Sequence, residues 1–385
     1  MAMSERKLVA WQGAGLIDAA TAERIRAWEA ERSHPLGLWA VVGIAALAIG
    51  LGLVSVVAAN WDAVPGIVRL ALHFALLAVA AALLWLKGPV LAQNRPWLHE
   101  AAQFVFALLG LTFFGHLGQV YQTSSPLWQL VLMWLMLFGP LLASRGLGTL
   151  TAATLVVALV FTAWNYAVWL DRFSESEGNA LLSVHMAAAT AAPVLLVPLG
   201  TWMSQRSDRQ AFWRRLGQFA LVYGVGGASL LAIACAVDEF DRLDGGVLTA
   251  AGLATQAVVG LVAGLLVALV RPTPAGRATG SILAGAGVVA ILAYPLSGSS
   301  LAGGLLFMAL WAGIAVASLL AGWRWMFQLA VGLVAVRLIV LSFELASDLL
   351  ASGAGLIASG FLILGIVWLA LRVARRFAPE KGAGS

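Results

Sequence analysis

Arg337 lies in the middle of an apolar stretch, LAVGLVAVRLIVLSFELASDLL, with Glu344 seven residues and Asp348 eleven residues further on. At about 100° per helical residue, all three fall within about 20° of one helix face. A charge at that depth of a membrane costs at least about 2.5 kcal/mol on insertion scales, so its presence asks for an explanation. One explanation is a polar pathway or a site for a small anion. The other is an interhelical bond that glues the bundle together. Arg337 and Glu344 would stand about 10 Å apart along the axis, so a direct pair needs long side chains or a bridging water. A second candidate group is Thr112, His116 and Gln119, which share a face at helical spacing and run into Tyr121, Gln122, Thr123 and Ser124. Imidazole can relay protons near neutral pH. An interhelical hydrogen bond for His116 is the plainer reading. A third group, Asn60-Trp61-Asp62, reads as a tight structural turn, with Asp62 capping a helix that has Pro65 in its first turn. Arg69, one turn deeper, is expected to snorkel or to pair with Asp62. A mid-span His73 or His185 could be a ligand, but single histidines without a clustered carboxylate or Cys are more often packed and bonded. Asn165, Gln218, Gln256 and Gln328 read as interhelical hydrogen-bonders.

The chain lacks a Walker loop and the HExxH and GxSxG motifs. Its single cysteine, Cys235, rules out an intramolecular disulfide or a thiolate cage. No cofactor, no metal and no enzymatic activity are expected.

The elements that must position these residues follow from composition. Of 385 residues 61% are hydrophobic and 11% charged, and the mean hydropathy is +0.92. Soluble proteins carry roughly 25% charged residues. Apolar runs of about 20 residues match the hydrocarbon thickness of a bilayer. The predicted spans are 38–58, 66–86, 99–118, 126–143, 147–169, 181–203, 214–236, 247–270, 277–295, 300–321, 323–343 and 353–372. The Ser144–Gly146 and Gly322–Arg324 links are the least secure boundaries. The fold class is therefore an all-α polytopic helical bundle of about twelve transmembrane helices. Its expected organisation is an N-terminal hairpin (1–37), a transmembrane domain (38–373) and a tail (374–385).

The net charge of +5 does not indicate nucleic acid, because the basic residues are dealt out between apolar runs. With a cytoplasmic N-terminus, most of the 23 Lys and Arg fall on one side. The opposite loops are acidic, as at Asp171, Glu175 and Glu177, and again at Asp238, Glu239, Asp241 and Asp244. This bias predicts an even span count and both termini in the cytoplasm of a bacterial inner membrane. The polar start predicts no cleavable signal peptide. Trp39, Trp61, Trp97, Trp128 and Trp169 are expected in an aromatic belt. Gly260 and Gly264 form a GxxxG that permits close helix packing.

Within residues 1–37, Gly15 can end a first helix in a left-handed conformation and Asp18 can cap a second. Such an element is too small to hold a core alone. It is expected to dock on the membrane domain, on a protein partner or on a second copy.

The order of "LVAWQGAGLIDAATAERIRAWEAER", "GIAALAIGLGLVSVVAANWDAVPGIVRLAL" and "GHLGQVYQTSSPLW" resembles the bacterial membrane family called domain of unknown function 2157. The shared features are the Trp-containing hairpin, the Gly-rich first span, the Ala-Ala-Asn-Trp turn, and Gly118, Gln119, Tyr121 and Gln122. They cover about the first third of the chain. The resemblance implies a membrane protein and brings no activity. The leading expectation is a transporter-like protein that binds or moves a small solute, with an anion suggested by Arg337. The alternative is a membrane scaffold or envelope-stress component recruiting a partner through the hairpin. An intramembrane enzyme acting on lipid or glycan ranks last, because no general acid and base pair is evident.

Overall fold

The computed structural model describes residues 11–32, 64–122, 124–172, 180–235 and 246–345, together with Leu8, Ala48 and scattered positions between 357 and 372. The chain divides into two compact units, Met1–Arg69 and Leu70–Ser385.

In the first unit, Gly15 takes φ +67°, and the Leu16 amide closes the turn on the Trp11 carbonyl. Asp18 then caps α1 (Ala19–Arg32) by accepting from the Thr21 amide at 2.7 Å. The Thr21 hydroxyl and amide hold the Asp18 carboxyl below its ordinary value.

Among the described residues, ten helices long and apolar enough to cross a membrane follow, formed by eleven α segments. They are α2 (Gly66–Asn94), α3 (Pro96–Val120), α4 (Leu127–Arg145) and α5 (Thr149–Asp171). Next comes a broken span, α6 (Ala180–Ala191) and α7 (Leu196–Met203), joined by the 3-10 turn Ala192–Leu195. The remainder are α8 (Gln210–Ala234), α9 (Ala250–Val270), α10 (Pro274–Ala293), α11 (Ser300–Leu320) and α12 (Arg324–Leu345). No strand occurs among the described residues. These ten correspond to the second to eleventh expected spans. The first, 38–58, lies outside the described residues, as does most of the last, 353–372. The turn Asn60-Trp61-Asp62, and with it any pairing of Asp62 to Arg69, also lies outside them. The Arg69 Nε donates to the Val64 carbonyl at 2.7 Å.

The solvent of this bundle is lipid. On α2, Leu72, Phe74 and Trp85 are at least 60% exposed, while its buried positions are His73 and Gly88. A helix with so much apolar surface outward is stable only in hydrocarbon.

Packing centres on α8, which contributes to all four hydrophobic clusters. Ala228 and Ala232 meet α10, α11 and α12. Phe212, Trp213 and Leu216 meet α4 and α5. Leu231 and Ala220 meet α9 and α10. The α9–α10 hairpin is the tightest crossing. A Cβ at Gly264 would sit 2.5 Å from the Gly280 carbonyl oxygen, so only a glycine lets the two backbones touch. The two least secure links are real breaks. Gly322, at φ +74°, ends α11 with Trp323 N–H on the Ser318 carbonyl and Gly322 N–H on that of Leu319, which is a Schellman closure. The other break, at Gly146, depends on a residue from a different helix.

Candidate functional site

Four polar constellations lie inside the apolar bundle. The first is Arg337 on α12, which is 7% exposed. It forms a bidentate pair with Glu344 of the same helix, at 2.9 and 3.2 Å. The two long side chains bridge the axial gap without a water. Gly304 on α11 makes room for the guanidinium, since a Cβ there would come within 3.3 Å of Nη2. The arginine charge is thus neutralised within its own helix. Asp348, the third member of the expected stripe, lies outside the described residues.

The second constellation joins two residues that the sequence kept apart. His73 on α2 and His116 on α3 face each other with Nδ1···Nδ1 at 2.8 Å. Their rings meet edge to face with centroids 5.0 Å apart. His73 Nε2 is 3.0 Å from the Leu109 carbonyl and 3.4 Å from the Thr112 hydroxyl. Thr112 and His116 therefore share a site as their spacing suggested, while Gln119 is exposed near the end of α3. Helical spacing could relate His116 to Thr112, but only the pairing of α2 with α3 relates it to His73.

The third is Glu100, which the sequence reading passed over. Its buried carboxylate, just past the first turn of α3, caps the start of α5. Oε1 accepts from Leu147 N (2.7 Å), Gly148 N (2.8 Å) and Thr151 Oγ1 (2.7 Å). Oε2 accepts from Leu150 N (3.0 Å) and Thr151 N (3.3 Å). The α5 N-cap, Gly148, has no side chain of its own to do this. Arg209 completes the corner by donating to the Gly146 carbonyl at 3.0 Å. The available signal was a lone carboxylate near the start of an apolar span.

The fourth is a cavity of about 260 Å³ between α5, α6, α8, α9 and α10. Gly224, Gly227, Gly260 and Gly287 form part of its wall, and no charged side chain lines it. Thr190, Ala191 and Val194 of the broken span also border it. Pro193 removes a backbone donor there, and the chain tightens into the 3-10 turn. The Tyr223 hydroxyl then donates to the Thr190 carbonyl (2.7 Å) and accepts from Trp164 Nε1 (2.9 Å). Gln256 lines the cavity too, and its carboxamide makes no hydrogen bond among the described residues.

The interhelical bond that the sequence predicts for Gln256 is therefore absent among the described residues. Asn165 and Gln218 bond within their own helices, to the Phe161 carbonyl and with Arg215, and Gln328 is exposed. The interhelical bonds come from other side chains. Trp134 donates to the Ala107 carbonyl, Trp311 to Ser229, and Tyr166 meets His185 at 2.9 Å. Aromatic donors reach a neighbouring helix with an apolar body in the packing layer. Trp128 and Trp169 sit together, with ring centroids 5.4 Å apart, beside Tyr166. Among the described residues no group of three or more His, Cys, Asp or Glu could hold a metal.

One stretch of chain holds both partners of the histidine pair and every contact of Glu100. Residues 9–151 match the family model described as a predicted membrane protein, DUF2157. The matched segment runs from the N-terminal element to Thr151, the last residue that Glu100 holds. The cavity, Arg337 and Glu344 lie beyond it. Neither the curated proteins nor the solved structures contain a match to this chain.

Proposed function

We propose that this membrane protein is carrier-like and that it binds a small, uncharged, largely apolar solute in the cavity between α5, α6, α8, α9 and α10. The observation that carries the reading is the broken span beside that cavity. Irregular backbone at membrane depth is tolerated where it is buried in protein or lines a cavity. In many transporters discontinuous helices border the substrate site. The wall chemistry sets the solute class. The Tyr223 hydroxyl and Trp164 indole are engaged with each other and with Thr190, which leaves the Gln256 carboxamide to orient a guest carrying one hydrogen-bonding group. An anion is disfavoured, because the cavity is uncharged and Arg337 is already matched by Glu344. Binding and movement, rather than chemistry, is the role this wall supports.

The orientation follows the basic residues. Arg95, Arg145, Arg206, Arg209, Arg271 and Arg324 sit in or beside the connections after α2, α4, α7, α9 and α11. We place that end in the cytoplasm of a bacterial inner membrane, with both termini on the same side.

Gly227 supplies the test. A Cβ there meets nothing within 4 Å, and the residue lines the cavity. Gly226 is equally open but does not line it. Gly227→Leu should place an apolar side chain in the cavity with room for its Cβ, and Gly226→Leu makes the same change in helix propensity outside it. Full-length protein in detergent is screened by thermal shift against small neutral amphiphiles. A compound that raises the Tm of the wild type and of Gly226→Leu, but not of a folded Gly227→Leu, supports the site. Equal shifts in all three proteins refute it. The absence of any stabilising compound moves the weight to the scaffold reading and to partners of residues 1–37.

A further inference from the structure

We infer that a pocket between the start of α4 and the end of α5 binds the phosphate of an anionic lipid headgroup, at a site separate from the cavity. The pocket measures about 530 Å³, within the range of roughly 300–1,000 Å³ usual for small-ligand sites. Ser124, Ser125 and Trp128 line it from α4 and the residues just before, and Asn165, Trp169 and Arg172 line it from α5 and its end. Two of these groups can only donate a hydrogen bond, the Trp128 indole and the Arg172 guanidinium. Trp128 Nε1 is buried and has no acceptor among the described residues. A buried donor without an acceptor is costly, and an acceptor brought by a ligand removes that cost. Arg172 is exposed and makes no hydrogen bond or ion pair among the described residues.

The wall therefore asks for a ligand rich in acceptors and negatively charged. No carboxylate lines the pocket, and Asp171, next to Arg172 in the chain, is not part of the wall. The Ser124 and Ser125 hydroxyls can also donate, and Asn165 keeps one amide hydrogen after its bond to the Phe161 carbonyl. A phosphate presents several acceptor oxygens to such a set, and a guanidinium can meet two of them at once. The positive end of α4 favours the same sign of charge. An ammonium-bearing headgroup would find no carboxylate here, so the fit is to a lipid with net negative charge.

The rim points to a lipid as the carrier of that phosphate. Leu127 and Val168 line the same pocket and are 59% and 57% exposed. A free phosphate leaves this apolar surface unused, whereas acyl chains below a headgroup cover it. Trp128 and Trp169, with ring centroids 5.4 Å apart, set amphipathic rings beside the polar groups, as at a headgroup layer. The pocket lies at the opposite end of α4 from Arg145. With the orientation proposed above, it faces the outer leaflet.

The test is photo-crosslinking of the full-length protein in dodecyl maltoside, a detergent without phosphate. The probe is phosphatidylglycerol with a photoreactive group at the top of one acyl chain, and adducts are mapped by peptide mass spectrometry. Labelling is expected in residues 124–128 and 165–172. Unlabelled phosphatidylglycerol should compete it away and diacylglycerol should not, while inorganic phosphate, lacking the acyl chains, should need at least about a hundredfold higher concentration. Arg172→Gln should reduce labelling of both segments about three- to tenfold, a modest loss because the guanidinium is exposed. Trp128→Phe keeps a ring and removes the unpaired N–H, so it should lose labelling by a similar factor while melting close to the wild type without lipid. Arg277→Gln, an equal loss of exposed charge at the other end of the bundle, should leave both segments labelled as in the wild type. Unchanged labelling in Arg172→Gln or Trp128→Phe, an equal drop in Arg277→Gln, or competition by diacylglycerol as strong as by phosphatidylglycerol would each overturn the phosphate site. Competition by inorganic phosphate at the same concentration as the lipid would overturn the lipid source and leave a site for free phosphate.

Discussion

Removing the Glu100 carboxylate should loosen the α4–α5 corner more than any other single polar change in the described bundle. The side chain accepts five hydrogen bonds, four of them from backbone amides at or just before the start of α5. A helix N-cap is worth about 0.5–2 kcal/mol. An anion at a helix N-terminus adds up to about 2 kcal/mol in partly buried geometry. Each buried donor left unpaired costs about 1–3 kcal/mol, though water reaching this end of the bundle recovers part of that. These terms overlap and do not sum, which puts Glu100→Ala at about 3–5 kcal/mol. Glu100→Gln keeps one oxygen for Leu147, Gly148 and the Thr151 hydroxyl but turns an NH2 toward Leu150 N and Thr151 N, so about 2–3 kcal/mol is expected. At about 2 °C of Tm per kcal/mol, the alanine variant should melt roughly 6–10 °C lower in detergent at a matched scan rate. Hydrogen exchange gives the local readout. A loss of about 3 kcal/mol speeds exchange of the Leu147–Thr151 amides by about a hundredfold if they open locally. A Tm within about 2 °C of wild type, with unchanged exchange at those amides, would refute the cap.

Other consequences follow from the same contacts. Glu344→Gln leaves the buried Arg337 with one neutral acceptor and should cost about 1–3 kcal/mol, discounted because Glu344 is about a third exposed, while Arg337→Met with Glu344→Gln should return to within about 1 kcal/mol of wild type. Denaturation of the three proteins checks this, and an equally unstable double variant would contradict it. Gly264→Val forces apart the Gly280 contact and should lower stability by about 1–3 kcal/mol, whereas Gly226→Ala, in open space, should not. Asp18 has a depressed carboxyl, so its cap is present above the unfolded value of about 3.9 and is lost as pH falls through the lower folded value. Protection of the Thr21 amide should fall below about pH 4 in the wild type and stay flat in Asp18→Asn, because asparagine caps without titrating.

The sequence by itself determined the solvent and the element list. Apolar runs near membrane thickness, interrupted by short polar connections, locate the ten spans from α2 to α12, because hydrocarbon forces every span to satisfy its own backbone as a helix. Gly15 with Asp18 is legible for the same kind of reason, since caps and left-handed turns act within a few residues, whereas the Gly322–Arg324 link was only an insecure boundary until the structure showed its left-handed turn. The contacts between helices were not legible. Thr112 and His116 could be related by spacing, but His73 reaches His116 only because α2 and α3 lie antiparallel. Glu100 finds its partners 47 to 51 residues away. Gln256 looked like one more polar bonder until α8, α9 and α10 left a cavity beside it. Periodicity records which residues share a face of one helix. Which faces meet is decided by steric fit, and here that fit depends on small residues such as Gly264 and Gly280, whose pairing only the tertiary structure reveals.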